Sequence, residues 1–434
     1  MRLFIKCGGL LFYFCLFLSC ELLCRKLIGD ILFALQFGSF FPDLAALLGG
    51  QAAFAAAPKT VQTQKASMTE TAKPPIAAQK PHFYERHGVR IEDPYFWLKD
   101  QSYPTVDDPE VLDYLKAENA YFEAQMKPYA PLVETIFQEM KGRIKEDDSS
   151  VPQKDGAYLY WRKFEPGAQY KQWMRKLAKG GADEVLLDEA KLAEGKEYFR
   201  LSGITITDDD RIMAYATDTN GSERYTIRFR DLVTGKELPE EIPGTLGDFV
   251  FSSDGKHLLY GLVNENWRVE KILIHTLGTP VSEDKVIYAE PDQGFQTGVG
   301  MTHSRKWIVV ATGDNETSEI RLLPANDPFA KPILVRERKK GVEYDVEEHD
   351  GTLFIHTNDT STQFRLVTAP ISKPGEWTER IAPSPSFYMT AVTTFADFFI
   401  VEGRENGLDQ VEIHPYAGGK AKRIAFPEAS YSAG

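Results

Sequence analysis

Beyond residue 24 the sequence has no cysteine: Cys7, Cys15, Cys20 and Cys24 are the full complement of a 434-residue chain. A folded region built from the remainder has neither disulfides nor thiolate metal sites. The eight histidines are scattered, with no HExxH and no pair at i, i+4, so they read as surface or packing residues rather than ligands. Neither a metal nor a cofactor is expected. Positive charge is also in short supply, since 50 Lys and Arg stand against 63 Asp and Glu for a formal net charge of −13. That balance repels a phosphate backbone, and no Lys/Arg stripe interleaved with aromatics offsets it, which sets nucleic acid aside as a partner. An acidic surface is compatible with basic peptides as ligands, although its plainer reading is a solvated surface that keeps the protein soluble. The chain also lacks a GxSxG nucleophile elbow. Its nearest look-alike, Phe251-Ser252-Ser253-Asp254-Gly255, reads as a turn between strands.

What is present is ordinary globular material, 43% hydrophobic and 12% aromatic, in a chain long enough for two or three domains or for one large repeat domain with an appendage. Residues 1–57 stand apart. Arg2 and Lys6 lead the apolar run Gly8–Ser19, Arg25 and Lys26 interrupt, and a second apolar run spans Leu27–Leu48. Small residues at alternate positions in Ala52-Ala53-Phe54-Ala55-Ala56-Ala57 offer a signal-peptidase site after Ala55, which implies a periplasmic or exported protein with membrane contact only through this segment. A lipidated Cys20 fits less well behind Phe17-Leu18-Ser19. The competing reading is an over-extended gene start, with Met68 opening a cytoplasmic protein. Residues 58–80 have the Ala/Pro/Thr/Gln/Lys composition of a flexible linker.

Residues 81–150 read as a short helical segment. Asp93 can cap a helix with Pro94 in its first turn, and Asp108-Pro109 repeats the device ahead of Leu112, Leu115, Tyr121, Phe122 and Met126 at near-helical spacing. A third helix carries Leu132, Val133, Ile136, Phe137, Met140 and Ile144 as an i, i+4 stripe. From Gly156 the period changes to two, in Tyr158–Trp161 and Lys171–Leu177, which reads as paired strands.

A phrase then recurs, a polar turn followed by an apolar strand. Its instances begin at Thr207, Ser252, Thr302, Glu348 and Thr394, at intervals of roughly 45 to 50 residues, the length of a four-stranded propeller blade. In the second unit the strands are expected at Ile204–Ile206, Arg211–Thr217 and Arg224–Arg230, with a short outer piece at Lys236–Leu238. A blade has two apolar faces, and each is buried only when a neighbouring blade covers it. The expectation for residues 151–434 is therefore an all-β, seven-bladed-type β-propeller with about six blades present, preceded by the short α-helical segment.

Pro74-Pro75, Lys80-Pro81, the phrase Glu92-Asp93-Pro94-Tyr95-Phe96-Trp97-Leu98-Lys99-Asp100, the helices after it and the propeller together resemble the prolyl oligopeptidase family of serine peptidases. Gly167–Trp173, Glu184–Asp188 and Phe426-Pro427-Glu428 look most like its oligopeptidase B (protease II) branch. The resemblance covers about residues 74–434. It implies a propeller that gates access to an α/β-hydrolase domain bearing a Ser-Asp-His triad, and cleavage of short peptides after Lys or Arg. No position in this chain matches the triad, so no catalytic residue is named, and the hydrolase domain is read as absent from residues 1–434. On that reading the chain is the N-terminal portion of an oligopeptidase B-like enzyme and is inactive by itself, its missing partner being the hydrolase domain. The alternative is a stand-alone propeller that binds peptides or another protein without catalysis.

Overall fold

The computed structural model describes residues 73–102 and 105–434. The proposed signal segment, its cleavage site after Ala55, Met68 and the linker up to residue 72 lie outside the described residues. Among the described residues, no helix is long and apolar enough to cross a membrane. The described chain falls into two compact units that meet in sequence between Lys145 and Glu146.

The first unit opens with strands rather than a helix. β1 (Phe83–Arg86) and β2 (Val89–Glu92) form a hairpin about His87-Gly88, both at positive φ as a tight two-residue turn requires. Pro94 does not begin a helix, contrary to the expectation from Asp93-Pro94. The backbone there is already engaged, because Lys80 N–H donates to Pro94 O (2.9 Å) and Asp93 N–H to His82 O (3.0 Å). Asp93 instead accepts the Tyr95 N–H at 3.1 Å ahead of a single 3-10 turn, Phe96–Leu98. At Asp108-Pro109 the expectation holds. Asp108 Oδ1 accepts the Glu110 N–H at 2.8 Å, and α1 (Pro109–Met126) follows with proline in its first turn. α2 (Ala130–Gly142) is the third expected helix, and it holds the expected stripe except Ile144, which lies past its end. Its stripe is open: Leu132 is 56% exposed, and Ile136, Phe137 and Met140 are exposed as well.

The second unit is the propeller. Its first sheet comprises β3 (Gln153–Asp155), β4 (Tyr158–Phe164), β5 (Lys171–Leu177) and β6 (Glu184–Asp188), followed by a short α3 (Glu189–Ala193). β7 (Arg200–Ile206), β8 (Ile212–Asp218), β9 (Tyr225–Asp231), β10 (Glu237–Phe251), β11 (His257–Val263), β12 (Val269–Thr276) and β13 (Lys285–Ala289) form one continuous seven-stranded sheet. Three more four-stranded antiparallel sheets follow. They are β14 (Gln296–Met301) to β17 (Ile333–Leu334) through β15 (Trp307–Gly313) and β16 (Ser318–Pro324); β18 (Tyr344–His349) to β21 (Thr378–Ile381) through β19 (Thr352–Thr357) and β20 (Arg365–Pro370); and β22 (Tyr388–Thr394) to β25 (Lys422–Arg423) through β23 (Phe398–Glu405) and β24 (Leu408–Pro415).

The seven-stranded sheet is two blades sharing one strand. The first half of β10 pairs with β9 and the second half with β11, and Thr245 is partnered on both sides, by Tyr225 and Leu262. The outer piece expected at Lys236–Leu238 is thus the start of a 15-residue strand that becomes the innermost strand of the next blade. With that division there are six blades.

Alternation within each strand explains how the blades hold together. Met213 and Tyr215 of β8 join Tyr160 and Leu187 of the first blade, whereas Ala214 and Ala216 join Phe251, Leu258 and Tyr260 of the third. On β11 the sense repeats, with Leu259 turned to Ile308 and Leu323 of the fourth blade. The next two interfaces bring Ala311, Ile320 and Leu322 against Leu353 and Ile355, then Phe354 and Leu366 against Phe399 and Val401. Five apolar clusters therefore glue six blades in series, as period-two side-chain placement dictates.

Candidate functional site

In three successive blades the turns that join the first and second strands share one hydrogen-bond design. Thr207, Ser252 and Thr302 head these turns in the second, third and fourth blades. Each gives its C=O to the N–H three residues on, of Asp210, Gly255 and Arg305, at 2.9, 3.0 and 2.9 Å. Each hydroxyl accepts the N–H of the first residue of the following strand, Ile212, His257 and Trp307, at 3.0, 3.1 and 3.3 Å. Ser252, the candidate nucleophile look-alike, is thereby assigned a structural part. It is buried, it donates to Asp254 Oδ1 (2.6 Å), and its partners are a carboxylate and the backbone, not an imidazole.

One side chain links the turns of three blades. From the β14–β15 turn in the fourth blade, Arg305 reaches two blades at once. Its Nη1 lies 3.1 Å from Asp208 Oδ1, beyond the end of β7 in the second blade, and its Nη2 binds Asp155 Oδ1, the last residue of β3 in the first. The neighbouring turn is tied in as well, since His303 N–H donates to Glu347 Oε2 (2.7 Å) on β18 and Lys306 stands 3.6 Å from Asp350. Sequence reading found these turns through their periodicity. It gave no hint that Arg305 spans them, because partners 97 and 150 residues away leave no local signal.

Apart from His87, which is exposed in the β1–β2 turn, each histidine packs against an aromatic ring, to varying depth. His275 is fully buried, with Nδ1 2.8 Å from Asp284 Oδ1, and Asp284 also accepts the Tyr260 hydroxyl at 2.8 Å; the imidazole stacks on Phe229 inside the apolar cluster between the second and third blades. Among the described residues, no group of His, Cys, Asp and Glu has the arrangement of a metal site.

In the first unit, the phrase around Trp97 is pinned from several directions. Trp97 Nε1 donates to Ala78 O at 2.7 Å, Lys80 lies over the indole ring, and Tyr114 of α1 meets it edge-on. Asp100 closes the phrase. Its buried carboxylate accepts the N–H groups of Asp108 (2.8 Å), Ser102 (2.8 Å) and Asp107 (2.7 Å) and the Ser102 hydroxyl (2.7 Å), and these donors hold its pKa far below the usual aspartate range. The carboxylate thus fastens the end of the phrase to the start of α1, a link that the sequence did not announce. Residues 74–433, which include this phrase and all six blades, match the family model described as prolyl oligopeptidase, N-terminal beta-propeller domain.

This chain belongs to the prolyl oligopeptidase family. It is 33% identical over 389 residues to dipeptidyl aminopeptidase BI of Pseudoxanthomonas mexicana, a match covering 85% of this chain and 53% of that protein. It is 32% identical over 368 residues to protease 2 of Moraxella lacunata, covering 83% and 52%. Among solved structures, oligopeptidase B from Leishmania major superimposes with a TM-score of 0.77 at 28% identity, over 82% of this chain and 54% of that one. Oligopeptidase B from Trypanosoma brucei, in a closed form with covalently bound antipain, gives 0.76 at 30% identity, over 83% and 56%. The chain therefore spans about half the length of the curated relatives it matches, and the half it spans is the N-terminal propeller portion of this serine peptidase family. Two of the three segments that carried the oligopeptidase B resemblance lie together in the first blade, where Gly167 turns the chain between β4 and β5, Trp173 of β5 donates to Glu189 Oε1 (2.7 Å), and Asp188 at the end of β6 caps α3; the third, Phe426-Pro427-Glu428, follows β25 of the sixth blade.

Proposed function

We propose that residues 73–434 serve as the propeller half of an oligopeptidase B-like serine peptidase, covering an active site carried elsewhere and admitting short peptides with Lys or Arg at the cleaved position. The observation that carries this reading is the unbroken match of residues 74–433, entry phrase and all six blades together, to the propeller domain of proteins about twice as long. A propeller recruited to binding alone has no need of the Trp97 phrase and α1–α2, whose apolar stripe stays exposed in this chain. The catalytic serine, its base and its oxyanion hole belong, on this reading, to the other half.

Reading the nucleotide sequence past codon 434 tests the proposal. A frame encoding a GxSxG elbow between a strand and a helix is the expected result. An intact stop codon followed by unrelated sequence overturns it in favour of a non-catalytic binding propeller.

A further inference from the structure

Successive blades are joined in two different ways. The first passes to the second through residues 189–199, the third to the fourth through 290–295, the fourth to the fifth through 335–343 and the fifth to the sixth through 382–387, in each case by chain that belongs to neither blade sheet. Between the second and third blades no such connection exists. The ladder of β9 with β10 runs to Thr245 and the ladder of β10 with β11 begins there, so one residue is paired on both sides. Thr245 is fully buried, and its hydroxyl donates to Tyr225 O at 3.1 Å. Side chains close the same seam. Arg224, next to β9, donates from Nη2 to Asn264 O (2.8 Å) just past β11, and Ala214, Ile227 and Phe229 of the second blade pack with Phe251, Leu258 and Tyr260 of the third. The other interfaces are crossed by side chains and by single backbone bonds, such as Ser253 N–H to Ala325 O (2.8 Å) between the third and fourth blades and Met389 N–H to Gln363 O (3.0 Å) between the fifth and sixth.

We infer that the second and third blades form one rigid body, and that the propeller parts at a different blade interface when it admits a peptide. Separating two blades joined by free chain pulls apolar faces apart and takes up slack in the connection. Separating the second from the third also requires one of the two ladders of β10 to break, which adds lost backbone hydrogen bonds to the lost apolar contact. Openings of lowest free energy fall where few buried contacts and backbone bonds are at stake. The inference rests on the proposal that the propeller admits peptides, and it excludes one of the routes by which they could pass.

The test is hydrogen exchange read by mass spectrometry on the full 434-residue chain in rising, sub-denaturing urea. Peptides from β8, β9, β11 and β12 are expected to lose protection together, with one urea dependence, while the strands on either side of at least one other blade interface lose it separately and at lower urea. Loss of protection in the second blade at a urea concentration where the third keeps it overturns the inference. A Gly-Ser-Gly insertion between Gly244 and Thr245 gives the seam the slack that the other connections have, and it is expected to abolish the coincidence of the two blades. The same insertion between Asp292 and Gln293, in the connection from the third blade to the fourth, should leave that coincidence intact. A seam insertion that folds and still shows the two blades opening together would show that the shared strand is not what unites them, and the inference fails. If circular dichroism shows the seam insertion to be unfolded, the parent profile decides alone: joint loss in the second and third blades with separate loss elsewhere supports the rigid body, and separation of those two blades, or simultaneous loss in all six, rejects it. An unrelated sequence beyond codon 434 would sink the peptidase reading and leave each of these outcomes as informative as before.

Discussion

Thr207, Ser252 and Thr302 show how one side chain repeats its task around a ring. Each is almost fully buried, and each hydroxyl is committed to the backbone of its own turn. Replacing Ser252 with alanine strips the His257 N–H of its hydroxyl acceptor and should cost about 1–3 kcal/mol, read as a lowered urea midpoint at unchanged slope. If Ser252 were a nucleophile, a serine-reactive phosphonate would label it; no labelling is expected. Asp100 sets a pH dependence for the first unit. Its carboxyl has a depressed pKa in the folded state because of the Asp108, Ser102 and Asp107 donors, so its contribution is fully present above the ordinary aspartate value of about 4 and is lost as pH falls from there toward the lower folded value. Asp100→Asn should flatten the acid limb of a pH series monitored by Trp97 fluorescence, and an unchanged acid limb would show that other carboxylates govern it.

Among the elements, β10 concentrates the consequences. A single strand serves two blades, so its irregularities are where one blade hands over to the next. Gly247 has φ of +94°, and a Cβ there would fall 1.9 Å from Ser202 Oγ. Both the backbone and the neighbour therefore demand glycine. Gly247→Ala should destabilise by about 2–4 kcal/mol, with amide exchange quickening first in β7 and β10, where the clash falls. The interface between the third and fourth blades carries ions in addition to its apolar cluster. Arg338 lies 2.7 Å from Glu290 and 3.3 Å from Glu319, two carboxylates that are nearly inaccessible. Arg338→Ala leaves both buried with fewer partners and should cost about 3–5 kcal/mol, more than the loss of any surface pair; a cost under about 1 kcal/mol in urea unfolding would show the network to be dispensable. The single 3-10 turn after Pro94 teaches the opposite lesson about local signals. Asp-Pro is a sound helix start at Asp108-Pro109, where the Asp108 C=O accepts the helical N–H of Leu112 (3.0 Å), and fails at Asp93-Pro94, where the Pro94 C=O is taken by the Lys80 N–H (2.9 Å).

For the molecule as a whole, the expectation is that residues 1–434, purified as such, do not hydrolyse fluorogenic peptides ending in Arg or Lys. A triad and oxyanion hole supply on the order of 8 kcal/mol or more of transition-state stabilisation, and the serine that most resembles a nucleophile, Ser252, is bonded to Asp254 and to the backbone of its turn. Turnover that copurifies with the chain, with a serine of this chain labelled by a phosphonate, would refute the expectation.

The six-blade count, the strands from Tyr158 onward and the capped helix at Pro109 were legible from the sequence, because periodicity, capping residues and turn composition act over a few neighbouring positions. The sharing of β10, the hairpin at His87-Gly88, the anchoring of Asp100 and the reach of Arg305 were not. Each depends on partners or backbone pairing that only the folded chain brings together. A blade's sequence states that it has two apolar faces and a turn at each end; which residues of distant blades meet is settled by how the blades pack in series, and that packing places Arg305 between Asp155 and Asp208.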